Sequence, residues 1–361
     1  MSPISAEPVL FIVLGLAAIS LLVLILPFRV KKVEENLEPF FLVMGVAAVT
    51  ISGLWSWKLV GEALKAPVVI GSMPIGIFQV VLVVGLLIYY FNTPFCNAIL
   101  HVAHKLGPNL FIFLLIAVFG LLSGVISVIL TACLLAEIAA ALPLSKKNKI
   151  KLAVVSCFAT ALGAVLTPLG EPLSTILVAK LAGPPYHAGF FFPLKIFGAF
   201  MVPGVVATAL FGALWIGPKI SLKKESVITE YSETVKTVIM RAVKVYAFIA
   251  ALVLLGEGFR PLIVWYFEKI SPAVLYWFNT ISAILDNATL TAIEIGPSMT
   301  LPQIIGIIMG LSIAGGMLIP GNIPNIVAAG RLKISMKQWA VIGLPIGFVM
   351  MAVFFVILYV L

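Results

Sequence analysis

Charged residues are scarce in this sequence, and their scarcity excludes most classes of soluble protein. Only 10% of the 361 residues are Asp, Glu, Lys or Arg, whereas charged residues make up about a quarter of a soluble globular domain. Hydrophobic residues make up 62% and the mean hydropathy is +1.20. Apolar tracts long enough to cross about 30 Å of hydrocarbon recur from end to end. The composition predicts an all-α polytopic protein that passes through the plasma membrane many times, with the lipid bilayer as its main partner.

Cysteine and histidine are equally rare, with three of each. Cys96, Cys133 and Cys157 are scattered, and none has metal-ligand spacing to a histidine or a carboxylate cluster. The sequence also shows neither a nucleophile elbow nor a phosphate-binding loop. We therefore expect a protein that is not an enzyme and holds no cofactor. Nucleic acid is not an expected partner either, because the net charge of +9 comes from short loops between apolar tracts.

Polar loops divide the chain into four predicted regions. Residues 1–66 are expected to form N-terminal scaffold helices, and 67–218 a first repeat. The only long polar stretch, 219–241, is expected to be a cytoplasmic linker, and 242–361 an inverted second repeat. The sequence therefore predicts two related halves with additional helices before them.

Each repeat is expected to contain the same two structural features in the same order. The first is an apolar segment with a polar point inside it, at 109–143 and at 272–296. The second is a helix broken by proline and glycine, at 150–182 and at 302–331. Secondary transporters are commonly built from such repeats, with the substrate near the membrane midplane where helices are interrupted.

Local similarity supports the repeat. Residues 126–132 line up with 281–287, and residues 163–168 line up with 315–320, in the same order and at nearly constant spacing. Because apolar sequences match easily by chance, the shared order counts for more than the identities. The two halves are therefore interpreted as copies of one unit.

The basic residues distinguish two topologies for 109–143. If this segment crosses the membrane as one kinked span, the basic loops are split between the two sides. If it enters and returns as a re-entrant hairpin with its tip near Thr131, most of the 23 Lys and Arg residues share one face, which is then cytoplasmic. We therefore expect about eight full spans, two opposed re-entrant hairpins, and both termini outside the cytoplasm.

One polar stretch stands out in the second apolar segment, at Leu285-Asp286-Asn287-Ala288-Thr289. An ionisable group at membrane depth costs a few kcal/mol, and such groups tend to mark ion or substrate pathways. We interpret Asp286 as a functional group. The alternative is a neutral buried acid that is hydrogen-bonded to a neighbour.

Four polar points are expected to converge near the midplane: Thr131 and Asp286 at the hairpin tips, and Glu171 and Asn322 in the helix breaks. Oxygen ligands of this kind suit hard cations, and a buried carboxyl group can bind a proton in place of the cation. Such competition is the minimum that an antiporter requires. We predict that Asp286 and Glu171 bind Na⁺ and protons, and that small inorganic ions are the only ligands.

Other residues near these points are predicted to add oxygen ligands or to relay ions. The neutral candidates are Asn287, Thr289, Asn322, Thr167, Thr131, Ser127, Ser282 and Asn325, and the relay or gate candidates are Glu137 and Glu294. Two structural alternatives stay open at this stage. Glu171 and the three asparagines can instead cap half-helices, and the hydroxyl groups can instead bond their own backbone.

At these residues the chain resembles the ion transporter superfamily, which includes NhaD-type sodium/proton antiporters, arsenite permeases, and citrate and dicarboxylate carriers. The resemblance covers about 109–361, and the chain looks most similar to a group described as cation transporters. The family's Ser-Pro-x-Gly-Asp pattern is present with Thr167 in place of the serine and Glu171 in place of the aspartate. The first hairpin tip departs from the family, since Thr131-Ala132 stands where an acid or Asp-Asn is usual.

The resemblance implies an antiporter that exchanges Na⁺ or Li⁺ for protons, by an elevator-like movement of the hairpin domain on a homodimeric scaffold. A sodium-coupled symporter of an organic or inorganic anion is the alternative, because the N-termini of two half-helices could hold an anion. This alternative is less favoured, since the sequence offers no spare arginine at the midplane.

Overall fold

Helices make up the ordered structure throughout the part of the chain that the computed structural model describes. The described residues are 7–34, 36–69, 77–126, 128–220, 234–266, 271–285, 287–296 and 299–360, and none of them forms a strand. In chain order the helices are α1 (Leu10–Arg29), α2 (Lys31–Glu34), α3 (Leu37–Ser52), α4 (Trp57–Lys65), α5 (Ile77–Leu106), α6 (Pro108–Ile126), α7 (Val128–Ala141), α8 (Lys146–Ala164), α9 (Pro172–Lys180), α10 (Phe192–Ile216), α11 (Val235–Tyr266), α12 (Pro272–Phe278), α13 (Asn287–Glu294), α14 (Leu301–Ala314), α15 (Ile323–Leu332) and α16 (Met336–Tyr359). Short 3-10 segments occur at Gly217–Lys219, Asn279–Ala283 and Ile319–Gly321.

Five of the described helices are long and apolar enough to cross a membrane. These are α1, α6, α10, α11 and α16. Shorter apolar helices include α3, α7 and α14. The expectation of an all-α, membrane-embedded protein is confirmed at this level. The later part of the expected linker 219–241 is helical, since α11 begins at Val235.

Small residues hold the N-terminal helices against the second half of the chain. The α3 helix packs along α11, and a Cβ atom at Gly45 would lie 2.9 Å from the carbonyl oxygen of Ala251. One turn along, a Cβ atom at Gly258 would lie 2.8 Å from the carbonyl carbon of Ala48. The hydroxyl of Ser52 donates to the carbonyl oxygen of Gly258. Close backbone approach through small residues is the usual way in which membrane helices associate.

The same device joins α6 to α8. Gly120 and Gly124 form a G-x-x-x-G pattern on α6, and the backbone of α8 lies against it so closely that a Cβ atom at Gly163 would overlap the carbonyl oxygen of Gly120. Between these glycines, Ser123 Oγ donates to the carbonyl oxygen of Thr160 at 2.9 Å. Helix α10 packs across both helices. This tight contact holds the C-terminal ends of α6 and α8 side by side.

The helix pair α6–α7 begins and ends on one side of the molecule. A Cβ atom at Gly217, just after α10, would lie 2.9 Å from the Cα atom of Asn109 at the start of α6. Near the same end of α10, Lys151 Nζ at the start of α8 lies 4.0 Å from the ring centroid of Trp215. Because α7 leads directly into α8, it returns to the side from which α6 started.

The segment from α12 to α13 opens towards the opposite side. The hydroxyl of Tyr359, at the end of α16, donates to the carbonyl oxygen of Pro272 at 3.2 Å. A Cβ atom at Gly306, near the start of α14, would overlap the same hydroxyl. At the other end of α16, Arg331 Nε lies 2.8 Å from Glu137 Oε1 of α7. The two segments therefore open towards opposite ends of α16.

The interruption of the α6–α7 pair does not lie at Thr131, where the sequence placed the tip. Helix α6 ends at Ile126 and α7 begins at Val128, so Thr131 is one turn inside α7 and fully buried. The first N–H groups of a helix lack partners within it. Here the N–H of Val128 donates to the carbonyl oxygen of Gly170 at 2.8 Å. A tertiary contact that local sequence does not reveal therefore sets the start of α7.

Candidate functional site: two helix breaks

The first break separates α8 from α9 and contacts the α6–α7 interruption. Pro168 and Pro172 prevent a continuous helix because each lacks an N–H group and collides with the preceding turn. Thr167 Oγ1 donates to the carbonyl oxygen of Gly124 near the end of α6. The Gly170 carbonyl accepts from the start of α7. Hydrogen bonds thus hold this break against both helices of the pair.

The second break separates α14 from α15 and contacts the junction before α13. Asn325 Nδ2 donates to the carbonyl oxygens of Gly315, at 2.7 Å, and Leu318, at 2.8 Å. A Cβ atom at Gly315 would lie 3.1 Å from Asn287 Nδ2, and a Cβ atom at Gly321 would lie 2.5 Å from the Ser282 carbonyl oxygen. Each break in the chain therefore lies against the interruption that precedes it in sequence.

Glu171 and Asn322 occupy matching places in the two breaks. Each is the last residue before a half-helix, and their backbone angles agree: φ −152° and ψ 160° for Glu171, φ −151° and ψ 148° for Asn322. Both residues are at least 95% buried, and neither side chain makes a capping hydrogen bond. The capping alternative is therefore wrong for both of them.

Three buried asparagines surround the second break with polar atoms that lack protein partners. Among the described residues, Asn287 Nδ2, Asn322 Nδ2 and Asn325 Oδ1 have no hydrogen-bond partner. Buried polar atoms are normally hydrogen-bonded, and non-helical backbone at membrane depth is tolerated where it is buried in protein or lines a cavity. Two of these three atoms are N–H donors, so only Asn325 Oδ1 among them could coordinate a cation.

Several expected site residues are placed differently or lie outside the description. Asp286 and Ser127 lie outside the described residues, as does the side chain of Thr289. Ser282 is buried, and its Oγ donates at 3.3 Å to the carbonyl oxygen of Leu311 on α14 rather than to its own backbone. Leu285 and Asn287, on either side of Asp286, are both buried.

The two relay candidates have definite neighbours. Glu137 is buried and forms an ion pair with Arg331, which the sequence presented only as a loop cation. Both carboxylate oxygens of Glu294 are inaccessible to solvent, and the buried side chain of Asn279 lies near that carboxylate without a hydrogen bond to it. Sequence reasoning missed Asn279, although it was visible as an amide within the apolar segment 272–296.

The ligands available at the breaks are mostly neutral oxygen atoms. Among the residues that the structure describes, no three His, Cys, Asp or Glu side chains come together. A cation at the first break would take a carboxylate oxygen from Glu171, and one at the second break would take amide and backbone carbonyl oxygens. Such ligands suit hard cations rather than thiophilic metals.

Comparison with known proteins identifies a family without a described activity. No curated protein matches the chain. The model of the DUF1646 family, whose description is protein of unknown function, matches residues 13–361. The matched region includes both helix breaks and both helix pairs that contact them. The chain belongs to the DUF1646 family.

Proposed function

We propose that this protein is a secondary active transporter that exchanges a monovalent cation, Na⁺ or Li⁺, for protons. One observation carries the proposal: Glu171 and Asn322, both buried and neither capping its helix, end two helix breaks of the same backbone geometry. A buried carboxyl group binds a cation only after losing its proton. The two ions therefore compete for Glu171, and that competition couples their movements.

The arrangement of the helices supports alternating access. The α6–α7 and α12–α13 segments open towards opposite ends of α16. The half-helix after each break packs on the second helix of the other segment, α15 on α7 and α9 on α13. These relationships favour two inverted repeats with re-entrant hairpins, an architecture in which transporters bind substrate at the repeat interface.

The proposal gives each residue a role. Glu171 and Asp286 exchange the cation and the proton, while Asn287, Asn322 and Thr167 lie beside the ion pathway. An elevator-like movement would carry the breaks and the helix pairs across a scaffold that includes α3 and α11, with a second copy completing a dimer. The protein then has no enzymatic activity and no resident cofactor.

The anion symporter is the weaker alternative. An anion would be attracted to the N-terminus of a half-helix. At the start of α9 that position is preceded by the buried acid Glu171, which would repel an anion. The same acid favours a cation, so the geometry fits the antiporter better.

Proton flux in proteoliposomes tests the proposal. Vesicles with an imposed pH gradient are loaded with a pH-sensitive dye, and Na⁺, Li⁺, K⁺ or choline is then added. Wild type should dissipate the gradient with Na⁺ or Li⁺, and Glu171→Gln and Asp286→Asn should not. Glu62→Gln, the same chemical change at an exposed residue of α4, should behave as wild type. The absence of flux with every alkali cation in the wild type would refute the function.

A further inference from the structure

A long apolar surface groove lies apart from the helix breaks. It has a volume of 1160 Å³ and runs between α10 and α16. Along α16 its lining extends from Lys337 to Ile357, about 30 Å at 1.5 Å per residue. That length matches the hydrocarbon thickness of a bilayer, and the volume exceeds the roughly 300–1,000 Å³ of small-molecule pockets.

The walls of the groove are apolar and its one charged end is entirely basic. Four lysines line it, Lys146, Lys147 and Lys151 at the start of α8 and Lys337 at the start of α16, and no acid is among the described residues that line it. These helix starts lie on the same side, because the ion pair of Glu137 joins α7, just before α8, to α15, just before α16.

The lysines repel one another. Partial burial, and after it the charges of Lys147 and Lys219, disfavour the charged form of Lys151, and its ammonium group also lies over the ring of Trp215. An anion placed among these groups would relieve the repulsion. Basic pockets between membrane helices bind the head groups of anionic lipids for this reason.

We propose that this groove is a binding site for an anionic phospholipid. The phosphate-bearing head group would lie among Lys146, Lys147 and Lys337, and the acyl chains would lie along α10 and α16. A second copy of the chain is a poorer occupant. A two-fold axis along the groove would bring the same four lysines of both copies to one end, and like charges would face each other.

Fluorescence quenching of Trp215 reports occupancy of the groove. The protein is reconstituted with phosphatidylglycerol or phosphatidylcholine brominated near the head-group end of the acyl chains, at equal mole fraction. The Trp215 signal is obtained as the difference between wild type and Trp215→Phe. We expect phosphatidylglycerol to quench this signal with roughly tenfold or greater preference over phosphatidylcholine.

Charge-matched variants show whether the groove lysines cause the preference for phosphatidylglycerol. In the triple variant Lys146→Gln/Lys147→Gln/Lys337→Gln, both lipids should quench Trp215 equally. The control is Lys65→Gln/Lys105→Gln/Lys195→Gln, which makes the same charge change outside the groove. It should keep the preference for phosphatidylglycerol. The single variant Lys337→Gln should be intermediate, and it tests the site if the triple variant fails to elute as a single species in gel filtration. Equal quenching by both lipids in wild type would mean that the groove holds bulk lipid without selectivity. Absence of quenching by either would mean that protein covers the groove. Either result overturns the proposal.

Discussion

Arg331 Nε lies 2.8 Å from Glu137 Oε1. The two residues belong to α15 in the second half of the chain and α7 in the first half, and both side chains are largely buried. The ion pair therefore joins α15, the half-helix after the second break, to α7, whose helix pair α6–α7 contacts the first break. Under the proposed transport mechanism, this ion pair would couple the movements of the two halves.

Removing one member of this ion pair should be costly. Glu137→Gln leaves the guanidinium group of Arg331 without its buried counter-charge, and we expect a loss of about 3 kcal/mol in stability. Thermal unfolding in detergent, followed by tryptophan fluorescence, measures it. The matched control is Glu62→Gln, which removes an exposed pair with Lys58 at 3.8 Å and should cost less than about 1 kcal/mol. Equal melting temperatures for Glu137→Gln and wild type would contradict the structural role of the pair.

The contact between α6 and α8 should tolerate no side chain at Gly163. In Gly163→Ala the new methyl group would overlap the carbonyl oxygen of Gly120, and two helices would have to separate. We expect a loss of at least about 2 kcal/mol. Gly61→Ala, within α4, meets nothing within 4 Å and should be neutral or stabilising by about 1 kcal/mol. A Gly163→Ala protein as stable as wild type would show that these helices are not so closely packed.

Substituting two asparagines of the second break should affect different properties: Asn325→Ala should lower stability, and Asn322→Ala should weaken ion binding. Asn325→Ala removes both hydrogen bonds to the break carbonyls of Gly315 and Leu318, so we expect a loss of about 3 kcal/mol in stability. Asn322→Ala removes a side chain that makes no capping bond, so stability should change by less than about 1 kcal/mol while stabilisation by Na⁺ weakens. Melting curves with and without Na⁺ give both quantities. If Asn322→Ala kept the full response to Na⁺, Asn322 would not be a ligand.

The helix breaks could be predicted from sequence because their causes are local. Proline and glycine act on the residues next to them, so the expected breaks within 150–182 and 302–331 agree with the observed gaps between α8 and α9 and between α14 and α15. The burial of Glu171 and Asn322 followed from their position inside those breaks.

The remaining features depend on contacts between distant parts of the chain. The N–H of Val128, at the start of α7, bonds to Gly170, and Thr131 lies inside that helix rather than between two helices. Asn325 was an expected ligand, yet its Nδ2 ties two carbonyl groups of the break together. Arg331 looked like one loop cation among many, and only the fold brings it to Glu137.

Cation-dependent stability at several pH values tests the central claim most directly. Anything that binds only the folded state raises stability as its concentration rises, by about 2.7 kcal/mol at a hundredfold excess over Kd. Melting temperatures are measured in Na⁺, Li⁺ and choline across a range of pH, for wild type, Glu171→Gln and Glu62→Gln. The account predicts stabilisation by Na⁺ or Li⁺ that weakens as pH falls, disappears in Glu171→Gln and persists in Glu62→Gln. Stabilisation that is absent, equal in choline, or independent of pH would contradict competition between a cation and a proton at Glu171.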